Sequence, residues 1–108
     1  MRAGFSLRLK PDGLAEYKRR HDDIWPELVQ ELAHNGIEQI TIFVTGSTLF
    51  IYSEIAAPDA WQTLWHSDIH IRWAQDLEPY LELADDGTPA SSDLTEIFHL
   101  EPQAAVAG

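Results

Sequence analysis

Tyr17 and His21 stand four residues apart in the run EYKRRHDDIWPEL, which covers residues 16–28. On a helix that spacing puts both side chains on one face. Both can donate or accept a proton, and an imidazole titrating near about 6.5 suits general acid–base work at neutral pH. The same spacing also describes a helix that packs its tyrosine against a core and keeps its histidine at the rim, so spacing alone leaves both readings open. Lys18, Arg19 and Arg20 lie between the pair. They fan around a helix, which fits a solvated face paired with acidic neighbours better than an anion site.

Other candidates carry less. His66 and His70 have the H-x-x-x-H spacing that can hold zinc on a helix. No Glu or Cys adjoins them, and Ser67 is suited to start a helix between them, so no metal is expected. Trp25, Trp61, Trp65 and Trp73 read first as core, although indole faces also stack on the C–H faces of sugars. Glu54 closes a strand and is a candidate carboxylate, with a salt bridge to Arg8 an equal reading. No nucleophile elbow, phosphate loop or dinucleotide fingerprint occurs. The absence of cysteine removes disulfides, thiolate metal sites and thiol nucleophiles together.

The elements that must position these residues are legible from periodicity. Residues 3–10 alternate as a strand and end at Pro11-Asp12-Gly13. Residues 14–21 form a helix. Pro26 cannot lie deep in it, so the chain is expected to bend near 22–24, with Asp22 or Asp23 capping a second helix that runs to about Asn35 and stops at Gly36. Residues 37–45 and 48–55 flank Gly46-Ser47 as a hairpin. Pro58 opens a short helix, and Ser67 caps a longer one with a stripe of Ile69, Trp73, Leu77, Tyr80 and Leu81. Asp85 to Pro89 is a loop, and residues 94–100 are a last strand.

The order is βαββαβ, the ferredoxin-like α+β arrangement with a four-stranded antiparallel sheet. With the helices on one face, the other sheet face is left bare and partly apolar, which suggests a pocket, a dimer contact, or both. A chain of 108 residues supports one domain, placed at 1–100, with 101–108 as a flexible tail. The net charge of −11 argues against nucleic acid or an anionic membrane as partner. No apolar run reaches the about 20 residues of a membrane span, and no secretory segment follows Met1, so a cytoplasmic protein is expected.

Taken together, EYKRRHDDIWPEL, GI opening a strand, IRW on the later helix, DDGTP in the loop and SSDLTEIFHL at the end resemble the L-rhamnose mutarotase family. The resemblance runs from Phe5 to Leu100, and its Y-x-x-x-H-x-x-[IV]-W-P-E element is specific. It implies a dimeric α/β-barrel of two ferredoxin-like subunits, their bare sheet faces turned toward each other. It also implies a cofactor-free isomerase acting on a monosaccharide, interconverting the α and β anomers of L-rhamnose. By the same resemblance His21 is the proton donor, Tyr17 binds sugar, and Trp73 contacts sugar.

Two pocket positions depart from the family pattern: Ile40 stands where the family often has tyrosine, and Ala74 where it has a second tryptophan. Losing a phenol and an indole leaves the chemistry possible but opens the sugar preference to a related 6-deoxy sugar such as L-fucose. The same fold supports monooxygenases and non-catalytic sugar-binding proteins, which remain the rival classes.

Overall fold

A computed structural model describes residues 1–102. From residue 103 onward, the expected tail lies outside the described residues. The chain runs β1 (Arg2–Arg8), α1 (Leu14–Asp22), α2 (Pro26–His34), β2 (Ile37–Thr45), β3 (Thr48–Ile55), α3 (Ala60–Trp65), α4 (Asp68–Leu77), a 3-10 turn (Glu78–Tyr80) and β4 (Ser91–Leu94). The four strands form one antiparallel sheet in the order β2-β3-β1-β4, so this is the ferredoxin-like α+β fold with each helical crossover broken in two. No described helix is long and apolar enough to cross a membrane.

Cross-strand register sorts the two faces. Ile40, Ile42 and Val44 lie opposite Ser53, Ile51 and Leu49, and Leu49, Ile51 and Ser53 in turn lie opposite Leu7, Phe5 and Ala3. Directly paired residues share a face, and this is the face under the helices. There Leu7, Leu49 and Ile51 join Tyr17, Leu28, Trp73 and Leu77 in the main core. Phe43, Phe50 and Tyr52 point to the other side, and Phe43 is 60% exposed.

The break between α1 and α2 has a local cause. A residue before proline is driven out of the helical region, and Trp25 accordingly sits at φ −64°, ψ 131° with Pro26 in the first turn of α2. The cap expected from Asp22 or Asp23 is therefore not made; Trp25 holds the cap position, with no side-chain capping bond. Gly36 ends α2 at φ 83°. Gly13 is needed for space: a Cβ there would lie 2.6 Å from the Tyr80 carbonyl oxygen, so only glycine lets the turn before α1 meet the turn after α4. Ser67 caps α4 as expected, accepting from the His70 amide at 3.3 Å.

Three boundaries differ from the sequence expectation. Helix α4 ends at Leu77, because Pro79 tightens the next turn into 3-10 geometry, and Leu81 packs from beyond it. Strand β1 ends at Arg8, with Leu9 keeping only an isolated bridge to Leu81. Strand β4 occupies Ser91–Leu94 rather than residues 94–100. Leu94 pairs with Gly4, and β1 starts at Arg2, so a strand running antiparallel beyond Leu94 soon has no partner within the chain. Ile97, Phe98 and Leu100 are left 94%, 77% and 65% exposed.

Candidate active site

Between the helices and the sheet lies a cavity of about 240 Å³, below the about 300–1,000 Å³ of pockets that hold drug-sized ligands and suited to something smaller. Leu7, Ile42 and Ile51 form its floor, and Tyr17, His21 and Trp73 contribute from α1 and α4. Ile40 and Ala74 also line it. All five residues singled out from the sequence thus reach one cavity. It opens on the helical side of the sheet, not on the bare face, which is free for another use.

Helix α1 positions the working pair. The Tyr17 and His21 rings stack with centroids 4.2 Å apart. The Trp73 ring meets His21 edge-on at 5.2 Å, and Trp25 meets Trp73 the same way at 5.1 Å, so the Trp-Pro bend braces the far side of the imidazole's neighbour. Arg20 ties α1 to the end of α4 through Asp76, and its guanidinium lies 5.3 Å from the Tyr80 ring centre. Lys18 pairs with Asp22 at 2.7 Å and Arg19 with Glu16 at 2.9 Å. The basic trio is thus engaged with acidic neighbours, as its spacing suggested.

His21 Nδ1 lies 2.8 Å from the Tyr17 carbonyl oxygen. Only a donor can face a carbonyl, so Nδ1 carries the proton and Nε2 of the neutral ring is the acceptor. Burial holds the imidazole below its ordinary value of 6.5, opposed by the Tyr17 hydrogen bond and the Asp22 charge. Burial also raises the Tyr17 phenol above its ordinary range, so it keeps its proton. At neutral pH the pair therefore presents one proton acceptor and one proton donor in an apolar wall.

Two further cavity residues, His70 and Trp65, lie outside the site that the family resemblance implies. His70 is 8% exposed, and Trp65 packs on it with ring centroids 4.7 Å apart. The signal lies in the spacing: His70, Trp73 and Leu77 are three and four apart and form the buried face of α4, whereas Ile69 is only partly buried. His66 is exposed just past the end of α3 and bonded to the Gln62 carbonyl at 2.7 Å, so the H-x-x-x-H spacing falls across a helix break. Trp61 spends its indole N–H on Ser53 Oγ at 2.8 Å, which marks it as framework.

Glu54 shares the outer face with Arg2, its register partner, and does not line the cavity. Arg8 pairs with Glu82 at 3.3 Å, so the alternative reading of an Arg8–Glu54 bridge does not hold: Arg8 lies opposite Thr48 at the start of β3, far from Glu54 at its end, and the Glu82 amide donates to the Arg8 carbonyl. Asp86 turns inward on its own loop, accepting from the Thr88 amide at 3.0 Å and hydroxyl at 2.6 Å.

A family model for L-rhamnose mutarotase matches residues 2–100. Among relatives, an L-rhamnose mutarotase of Oceanobacillus iheyensis is 37% identical over 93% of this chain and 98% of its own length. One of Bacillus subtilis is 36% identical over 83% of this chain and 88% of its own length. The crystal structure of an L-rhamnose mutarotase from Formosa agariphila superposes with a TM-score of 0.81 at 30% identity, covering 94% of this chain and 99% of that one. A cofactor-independent oxygenase from Streptomyces nogalater reaches a TM-score of 0.62 at 12% identity, a likeness of fold alone.

Proposed function

The chain belongs to the L-rhamnose mutarotase family, and from that premise we propose that it interconverts the α and β anomers of L-rhamnose or a related 6-deoxy sugar. It is then an isomerase acting on a carbohydrate. The observation that carries this reading at the level of chemistry is the stacked Tyr17–His21 pair in the wall of a small apolar cavity.

Mutarotation requires only proton transfer and room to rotate. In our reading the neutral Nε2 of His21 takes the proton of the anomeric hydroxyl. The O–H bonding pair becomes the second bond of the C1 aldehyde as the bond from C1 to the ring oxygen breaks, and that bond's electrons go to the ring oxygen. The imidazolium then returns the proton to the ring oxygen, which is the donor role the family resemblance implies. The open aldehyde turns about C1–C2, and the same steps run backward on its other face. Tyr17 donates a hydrogen bond that orients a hydroxyl, while Trp73 offers an apolar ring to a C–H face. No metal, cofactor or covalent nucleophile enters this scheme.

The test is anomeric proton exchange by saturation-transfer NMR on L-rhamnose, L-fucose, L-lyxose and D-glucose. Acceleration is expected for L-rhamnose or for the other 6-deoxy sugar, L-fucose; acceleration of none would sink the enzymatic reading.

The same reading makes the enzyme a homodimer in the cytoplasm, with no nucleic-acid or membrane partner. Support for the dimer comes from the outer sheet face, where Phe43 lies opposite Phe50 and Leu94 is 45% exposed, and from the exposed Ile97 and Phe98 beyond β4. Apolar side chains in that number are costly in water and normally mark an interface. Sedimentation should show a dimer for the wild type and a monomer for Phe43→Asp. A monomeric wild type at micromolar concentration would refute the dimer.

A further inference from the structure

We propose that His70 is a substrate-binding residue, a neutral imidazole in the cavity wall that hydrogen-bonds a sugar hydroxyl and helps set sugar preference. The inference rests on the mutarotase reading and adds to it a residue on α4 that faces the cavity beside Trp65.

Three observations lead there. His70 lines the same cavity as Tyr17, His21 and Trp73, and its Nδ1 is buried with no hydrogen-bond partner among the described residues. Buried polar nitrogens in native proteins are nearly always paired, so an unpaired imidazole in the wall of a cavity is a place for a ligand's polar group. Two neighbouring polar atoms of that wall are already committed: His21 Nδ1 to the Tyr17 carbonyl, and the Trp61 N–H to Ser53.

The second observation is Ala74, one turn after His70 on α4 and also in the cavity wall. A methyl group there fills little space, so the imidazole is not screened from the cavity by its i+4 neighbour. The third is Trp65, which lines the cavity and stacks on His70 at 4.7 Å. Indole and imidazole together offer an apolar plane with a polar edge, the combination that suits a sugar's C–H face and hydroxyl rim. Burial holds the ring well below its ordinary 6.5, at about 4, so it is neutral at working pH and can either donate or accept. With only a methyl group at position 74, the pocket draws aromatic area and a hydrogen-bonding group from positions 65 and 70.

The test compares wild type with His70→Phe, His70→Leu and His70→Asn in the NMR exchange assay, reading KM and kcat separately on whichever sugar the wild type accelerates. Losing one hydrogen bond to the sugar should raise KM about tenfold in the Phe and Leu variants, with kcat changed by less than about threefold. Asn restores a polar atom near the Nδ1 position and should recover most of the KM. Removing the contacted hydroxyl from the sugar should weaken wild-type binding but cost the Phe variant little further. A folded apolar variant with wild-type KM overturns the proposal, as does unfolding of both apolar variants, which would make His70 a packing residue. A wild type that accelerates no sugar instead overturns the mutarotase reading itself, a result distinct from an active enzyme indifferent to residue 70.

Discussion

Replacing His21 with alanine is expected to slow anomeric exchange by about 10²–10⁴-fold, the usual worth of a positioned acid–base group, while the circular dichroism spectrum stays that of the wild type. The imidazole is half-buried at the cavity, unlike the fully buried Leu49, Leu64 and Ser53. The expectation has a pH signature as well. Nε2 must be unprotonated to accept the anomeric proton, and burial holds the ring below 6.5. Wild-type exchange should therefore be flat near neutrality and fall only as pH drops through a value below 6.5, whereas the residual rate of the alanine variant should show no such step. Tyr17→Phe removes only an orienting hydroxyl and should cost less than His21→Ala. A folded alanine variant with full activity, or a wild-type profile that falls toward high pH across neutrality, would remove His21 from the chemistry.

Much of this site could be read from one short run because helical periodicity and proline chemistry act locally. Four-residue spacing put Tyr17 and His21 on one face, and Pro26 forced the bend that carries Trp25 to Trp73. The hairpin at Gly46-Ser47 was equally local, and its strands fell where alternation placed them. What could not be read were facts set by distant partners. The end of β4 depends on where β1 begins, not on the β-rich character of residues 94–100. The partner of Arg8 depends on which segment lies beside β1. His70 looked like half of a weak metal motif until the break at Ser67 separated it from His66 and α4 turned it into the cavity beside Trp65.

That burial gives His70 a second, larger consequence, for stability in acid. The folded protein holds this imidazole at about 4 against an ordinary 6.5, and the sole cause is loss of hydration, with no charged group contributing. The titratable groups sharing its two cavities are Tyr17, His21 and the exposed Glu78. Because the folded value is depressed, the unfolded chain binds a proton here that the native state refuses once pH drops below 6.5. The stability associated with a neutral His70 is thus complete above 6.5, falls as pH decreases, and is fully lost below about 4. That difference corresponds to about 3 kcal/mol, a large share of the about 5–15 kcal/mol by which a domain is stable.

His21 acts in the same direction, and the lowered carboxylates Glu16, Asp86 and Glu96 act only below their own unfolded values of 4.5, 3.8 and 4.5. Falling pH also relieves the repulsion of a chain with net charge −11, so the wild-type curve alone mixes terms. The clean quantity is the difference between wild type and His70→Phe in urea unfolding at about pH 7 and pH 4.5, at one protein concentration so that any dimer contributes equally. The wild type should lose about 2–3 kcal/mol more than the variant over that interval. Parallel curves would mean that His70 takes up its proton in the folded state as readily as in the unfolded one, and the dry, unpaired setting assigned to it would be wrong.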